Sequence, residues 1–263
     1  MHNELFSIGP VTVYGYGLMI GIGVLVCIWM GMHRAPKYNL KEDAVLDIAI
    51  YGLLAGFLGA KLLYIIVEWK AFIQDPMSVL GSEGFVVYGG IIMGVLAAIL
   101  YCKKKGLLFR EYFDLLSASI AVAQGFGRIG CFLAGCCYGR ETTSPLGVVF
   151  PEGSIAPAGV KLLPTQLFSS AGDFGIMFAL LWHMKRRKYK GDTGYVYMLL
   201  YGIGRFLIEM LRNDNRGGVG TLSTSQFISI FIVVAAVLLL LYNRKYGVKV
   251  EAEVTNESKE GNA

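Results

Sequence analysis

The stretch Gly127–Arg140, GRIGCFLAGCCYGR, sets arginine and cysteine among glycines inside an otherwise apolar run. Arginine cannot discard its charge by deprotonation. Holding that charge near the middle of a bilayer costs about 2.5–3.5 kcal/mol on insertion scales. Arg128 therefore needs an anion, an acidic partner or water. A second charged group occurs in LYGIGRFLIEMLRND, residues 200–214. There Arg205, Glu209 and Arg212 follow an i, i+4, i+7 spacing that places them on one helix face. Glu209 can neutralise one guanidinium and is a candidate partner for Arg128. Adding Lys61 leaves an excess of positive charge wherever these faces converge. Guanidinium donors form a planar fork that matches phosphate, and in a membrane such a phosphate belongs to a lipid head group. The competing reading is a buried ion-pair network that fixes helix register.

The other residue types narrow the chemistry. The five cysteines lack paired CxxC spacing, so no metal site is expected. Cys131, one turn beyond Arg128, is either a small packing residue or a thiol whose pKa the arginine lowers. Cys136 and Cys137 are adjacent and are expected as free thiols, because a vicinal disulfide is strained. Cys27 and Cys102 read as inert helix residues. His33 and His183 fall at cytosolic ends and His2 at the extreme N-terminus, which leaves no histidine placed as a general base on the outer side. Tyr14, Tyr16, Tyr64, Tyr88 and Tyr138 lie near the outer ends of apolar segments. They form an interfacial belt, or some turn inward as hydroxyl donors.

These residues must be positioned by membrane helices. The chain is 55% hydrophobic, with a mean hydropathy of +0.55, which is the range of polytopic membrane proteins. A crossing needs about 20 apolar residues. Segments 14–32, 45–67, 86–102, 112–133, 166–184, 193–211 and 226–242 approximate this length. The fold expected is an all-α integral membrane protein of about seven transmembrane helices. The first segment has no Lys or Arg before it, so it does not read as a cleavable signal peptide. Basic residues cluster after the first, third, fifth and seventh segments, as in Lys103–Lys105 and Lys185–Lys188. The outer connections hold only Lys70, Arg140, Lys161, Arg212 and Arg216. The positive-inside rule then puts the N-terminus outside and the C-terminus in the cytosol. The net charge of +5 is a topology signal and a face toward anionic lipid, not evidence for nucleic acid.

Small residues recur every fourth position at Gly52, Gly56 and Ala60 and at Gly90, Gly94 and Ala98. Gly127, Cys131, Gly135 and Gly139 continue this pattern if their helix extends so far. Such stripes allow close helix approach in lipid. The long connections 68–85 and 139–165 both fall on the outer side; EWKAFIQDP in the first suits a short interfacial helix, and the second suits a cap. Residues 1–243 form one transmembrane domain, and 244–263 a polar cytosolic tail, disordered by composition.

Taken in order, YGYGLMI (14–20), GAKLLYII (59–66), YGGIIMG (88–94), GRIGCFLAGCCYGR (127–140), LPTQLF (163–168), YGIGRFLIE (201–209) and SQFISI (225–230) resemble the prolipoprotein diacylglyceryl transferase family. The resemblance covers roughly 8–243. It implies an enzyme of the bacterial cytoplasmic membrane that moves the diacylglyceryl group of phosphatidylglycerol onto the lipobox cysteine of a preprolipoprotein signal peptide, without a cofactor. A thioether forms and glycerol-1-phosphate leaves. It further implies that Arg128 binds the lipid phosphate, with Gly127 and Gly139 in the same signature. Arg205 is implied as the second essential arginine, with Glu209 in its motif and Tyr16 as a functional tyrosine. The chain departs from the family at Tyr88-Gly89-Gly90, where His-Gly-Gly is usual and the histidine is discussed as a base. It departs again at Cys131, Ala134, Cys136 and Leu163, where Asn, Asn, Glu and His are usual. The phosphate-holding arginines are kept while the proton-handling groups are exchanged, which leaves Tyr88 or the substrate's surroundings to take the proton. Two other readings stay open: a divergent transferase with another acceptor, or a non-catalytic phospholipid-binding protein.

Overall fold

A computed structural model describes residues 4–8, 11–82, 84–213 and 218–250. The expectations for His2 and Arg216 lie outside these residues. After a hairpin of β1 (Glu4–Ile8) and β2 (Val11–Tyr14) come α1 (Gly15–Arg34), a 3-10 turn (Pro36–Tyr38) and α2 (Glu42–Val67). Short helices α3 (Trp69–Gln74) and α4 (Pro76–Gly81) lead into α5 (Val87–Lys104) and α6 (Phe109–Ala134). The strand pair β3 (Val148–Val149) and β4 (Lys161–Leu162) precedes α7 (Thr165–Met184) and α8 (Asp192–Glu209). A last pair, β5 (Gly218–Val219) and β6 (Leu222–Ser223), opens α9 (Thr224–Tyr246). The expected all-α architecture stands, with three small antiparallel hairpins added.

Six of these helices, α1, α2, α5, α6, α7 and α9, are long and apolar enough to cross a membrane. The protein is a multi-pass membrane protein. The sixth expected segment corresponds to α8, which has 18 residues but carries Asp192, Arg205 and Glu209 and falls outside that set. It is nevertheless lodged against α6, α7 and α9. A charged helix is tolerated in such a place because its polar face is turned to protein.

The central element is α6. Its apolar window is 56% buried, against 11–28% in the other five candidate spans, so it alone is enclosed by neighbours. It packs on α1, α7, α8 and α5. Gly125 lets Phe174 of α7 approach, and Ser170 Oγ donates to the Gly125 carbonyl at 2.9 Å. The α2 and α5 stripes meet each other. A Cβ at Gly89 would collide with the Gly59 carbonyl, and one at Gly90 with the Gly56 carbonyl. Backbone contact of this kind is what small residues permit in lipid, where van der Waals packing drives association. The third stripe is broken. Gly135 ends α6 in the left-handed conformation (φ 72°), so Gly139 lies beyond the helix.

One end of the bundle is tied by buried polar groups. Asp114 accepts from Arg187 Nη1 at 2.8 Å and from the backbone N–H of Gly191 and Gly194 at 2.7 Å each. Arg34 Nη1 donates to the Leu115 carbonyl at 3.0 Å. The start of the expected tail is ordered here. α9 runs to Tyr246, and Lys190 N and Val250 N donate to the Val248 and Lys188 carbonyls. Residues 251–263 lie outside the described set. At the opposite end the 139–165 connection folds over the bundle around buried Phe150, Ala156 and Leu162, which matches the cap expected of it. On the other long connection, α3 and α4 expose Trp69, Ile73, Met77 and Leu80, as an interfacial helix would.

Candidate active site

The cap end carries a cleft of about 230 Å³ between α7 and α8, with α6 behind it. Its polar lining is Arg128, Ser169, Asp173, Tyr201 and Arg205; its apolar wall includes Phe168, Ile176, Leu207 and Leu211. Gly172 and Gly204 line it too, and neither has a heavy atom within 4 Å of where a Cβ would stand. Absent side chains on facing helices thus keep the gap open. Both arginines belong to the last two turns of their helices, where the negative end of the macrodipole favours a cation.

Arg205 is held on two sides. Its Nη2 pairs with Glu209 Oε2 at 3.0 Å and donates to Ser225 Oγ of α9 at 2.8 Å. Its buried Nη1 has no partner among the described residues. A buried guanidinium donor without an acceptor is costly to leave dry, so the cleft has a place for an anionic or polar oxygen. The charge of Arg128 is felt by Tyr201, Cys131 and Asp173, and Asp173 lines the same cleft. Asp173 faces both arginines and is 7% exposed.

The structure thus brings Arg128, Arg205 and Glu209 together and separates other expected members. Lys61 is not part of the cluster. Its Nζ donates to the Ser82 carbonyl at 2.7 Å and lies over the Tyr64 and Phe85 rings, where it fixes the α2–α5 connection. Arg212 leaves the helix face shared by Arg205 and Glu209, because α8 ends at Glu209. It instead hydrogen-bonds the Cys137 sulfur, and its charge still reaches Arg205. Among the described residues that line the cleft, two guanidiniums, Arg128 and Arg205, stand with one carboxylate, Asp173, without Lys61. Tyr88, Tyr16, Gly127 and Gly139 are not among the cleft-lining residues. Tyr88 stands half-buried in the first turn of α5. Tyr16 lies against Gly130 on the α1 side of α6, within the field of Arg128 and of Cys131, Cys136 and Cys137. Gly139 is buried where a Cβ would strike Leu163 and Thr165; it donates to the Leu163 carbonyl at 2.9 Å and bridges to Arg212. Gly127 has open space where a Cβ would stand.

Asp173, Tyr201 and Ser225 escaped the sequence reading. An ionisable residue within an apolar segment is a functional candidate by default, and Asp173 met that criterion as plainly as Arg128 did. Tyr201 and Ser225 open two of the stretches that carry the family resemblance, YGIGRFLIE and SQFISI, but were given no role there.

The 135–140 turn that borders the cleft is clamped by its neighbours. Thr165 Oγ1 donates to the Cys137 carbonyl at 2.8 Å and Gln166 Nε2 to the Cys136 carbonyl at 2.7 Å. Arg140 N donates to the Leu211 carbonyl at 3.0 Å. Hydrogen bonding with Cys131 and Cys136, and then Arg212, holds the Cys137 thiol below the usual thiol value. The same bonding raises Cys136.

Comparison with known proteins agrees with this layout. The profile of the prolipoprotein diacylglyceryl transferase family matches residues 3–242. The chain is 49% identical to phosphatidylglycerol–prolipoprotein diacylglyceryl transferase 2 of Clostridium perfringens, over 95% of this chain and 98% of that one. It is 45% identical to the phosphatidylglycerol–prolipoprotein diacylglyceryl transferase of Clostridium tetani, over 93% and 98%. A Finegoldia magna protein of the same name is 34% identical over 95% and 98%. The chain belongs to the prolipoprotein diacylglyceryl transferase family.

Proposed function

We propose that the chain transfers the diacylglyceryl group of phosphatidylglycerol to the cysteine of a preprolipoprotein, in the cytoplasmic membrane of a bacterium. The near full-length match to relatives named for this reaction supports the substrates. The observation that carries the reading at the residue level is the cleft itself: two guanidiniums, one with a buried and unpartnered donor, in a gap between membrane helices.

In this reading Arg128 and the free Nη1 of Arg205 hold the lipid phosphate. Departure of glycerol-1-phosphate leaves negative charge on that group, and fixed cations in a dry site stabilise it without reorganising. Glu209 and Ser225 position Arg205 from the side away from the ligand. Asp173 limits the positive charge so that the product can leave. The apolar wall from Phe168 to Leu211 takes the acyl-bearing part of the lipid. Tyr16 acts from outside the cleft, within the field of Arg128, Tyr88 acts from the start of α5, and Gly139 acts by letting the 135–140 turn close on α7. On the topology expected from the positive-inside rule, with the N-terminus outside, the cleft lies at the outer leaflet, where signal-peptide cysteines emerge.

Expression in cells depleted of their own transferase tests this. Thioether-linked diacylglyceryl on a reporter lipoprotein is the expected result. A well-expressed, membrane-inserted chain that yields none would contradict the reading.

A further inference from the structure

Three thiols beside the cleft have no part in the steps above. Cys131 lies in the last turn of α6, and Gly135 then reverses the chain so that Cys136 N donates to the Cys131 carbonyl at 3.1 Å. Cys137 follows with φ 64°, a left-handed conformation for a residue bearing a Cβ. Such a conformation is strained for a residue with a Cβ and persists only where the surroundings impose it. Here the imposed turn brings three sulfurs to one point: the Sγ atoms of Cys131, Cys136 and Cys137 all lie within 4.8 Å of one another. None is in a disulfide, and all three are partly buried.

The donor set selects the ligand class. No carboxylate or imidazole joins the cluster among the described residues. Three thiolates without oxygen donors disfavour magnesium or calcium and suit a soft or borderline cation. In a tetrahedral zinc site the Zn–S distance is about 2.3 Å, which sets sulfurs about 3.8 Å apart. The cluster reaches that spacing with shifts of at most about 1 Å per pair. Three thiolates and one divalent cation leave a single negative charge. Arg212, which hydrogen-bonds the Cys137 sulfur, and Arg128, whose field reaches Cys131 and Cys137, offset it. Hydrogen bonds to the ligating atoms are a usual support of such sites.

We propose that Cys131, Cys136 and Cys137 together bind one zinc-class cation and leave its fourth coordination position open. Three protein ligands with an open position is the arrangement of reactive zinc sites, whereas structural sites are closed by four. The open position accepts a thiol, because coordination to the cation deprotonates it outright. On the transferase reading, on which this role rests, that thiol is the acceptor cysteine. Its S–H bond breaks and the proton passes to solvent. The sulfur then forms a bond to the glycerol carbon while the carbon–oxygen bond to phosphate breaks, and the phosphate departs with the electron pair. The thioether product is uncharged and a poor ligand, so the cation is freed for the next acceptor.

The test uses the full chain, purified in detergent under reducing conditions and exposed to zinc, with metal per chain measured by atomic emission. One zinc per chain is expected for the wild type and for Cys27→Ala and Cys102→Ala. Loss is expected in Cys136→Ala and in Cys137→Gly, the second of which suits the left-handed backbone and preserves the turn. Cobalt in place of zinc should give thiolate charge-transfer absorption in the wild type, Cys27→Ala and Cys102→Ala, and none in Cys136→Ala or Cys137→Gly. A zinc-free wild type whose thiols all titrate as reduced would overturn the site, as would equal loading of Cys137→Gly. Chelation should also slow thioether formation roughly thirtyfold, reversibly, the gain from a few per cent thiolate at neutral pH to full deprotonation. An unchanged rate after verified zinc removal would overturn the thiol-activating role and leave the site standing. No thioether from zinc-loaded protein would instead refute the transferase reading, with the metal stoichiometry unaffected.

Discussion

Arg205 and Glu209, one turn apart on α8, form a 3.0 Å ion pair through Nη2 that leaves the buried Nη1 without a partner among the described residues. The carboxylate therefore aims the arginine more than it satisfies it. Glu209→Gln keeps an oxygen acceptor but removes the charge. The expected result is a loss of about 1.5–3 kcal/mol, the worth of a hydrogen bond to a charged group, seen as a lower melting temperature and a turnover roughly tenfold or more below wild type. Wild-type turnover in that variant would show that Arg205 needs no such orientation.

Arg205→Lys separates charge from shape. The ammonium keeps the positive charge but lacks the fork that serves Glu209, Ser225 and a phosphate oxygen at once. Turnover should fall by roughly 10–100-fold with insertion unchanged, as read by protease protection and product mass. Full activity in the lysine variant would reduce the site's demand to charge alone.

Asp173 faces both arginines from α7, so its removal should make the cleft more positive. Asp173→Asn is expected to tighten inhibition by glycerol-1-phosphate, by up to roughly tenfold if the lost repulsion is near 1.4 kcal/mol, while slowing product release. Weaker inhibition would place the carboxylate in phosphate positioning instead.

Asp114 sits at the far end of α6 and joins Arg187 to the N-terminus of α8. Asp114→Ala leaves a buried arginine uncompensated, a loss of about 3–5 kcal/mol. A marked fall in melting temperature is expected, with turnover at a permissive temperature kept within a few-fold. Equal damage to turnover in the folded variant would couple the two ends of the bundle.

Gly89→Ala probes the seam between α2 and α5, where a Cβ has no room beside the Gly59 carbonyl. Overpacking of this kind costs about 1–3 kcal/mol. A drop in thermal stability in detergent checks it; an unchanged melting temperature would mean that the helices separate without penalty.

The membrane helices were legible because apolar runs of that length have few other uses, and their observed ends fall within a few residues of expectation. The arginines were legible for the complementary reason, since a fixed charge in an apolar run demands an explanation. What failed were statements about which charges meet. Lys61 looked like a member of the cationic set, but its long side chain turns to the Ser82 and Gly84 carbonyls of its own connection. Glu209 looked like a partner for Arg128, but it pairs with Arg205 of its own helix, and the carboxylate that shares the cleft with Arg128 is Asp173. Pairing across helices depends on rotation about each axis, which spacing within one helix does not encode. The thiol cluster was hidden for a related reason. Cys131, Cys136 and Cys137 have no recognised ligand spacing, and only the reversal at Gly135 and the positive φ of Cys137 bring them together.

The central claim is that Arg128 and Arg205 hold the phosphate of the donor lipid while it leaves. The most direct measurement is glycerol-1-phosphate release from phosphatidylglycerol by the purified full chain with a lipobox peptide, compared with Arg128→Ala at matched folding. The wild type should release one glycerol-1-phosphate per thioether formed, and Arg128→Ala should release none above background. Release at the wild-type rate by the alanine variant would contradict the account.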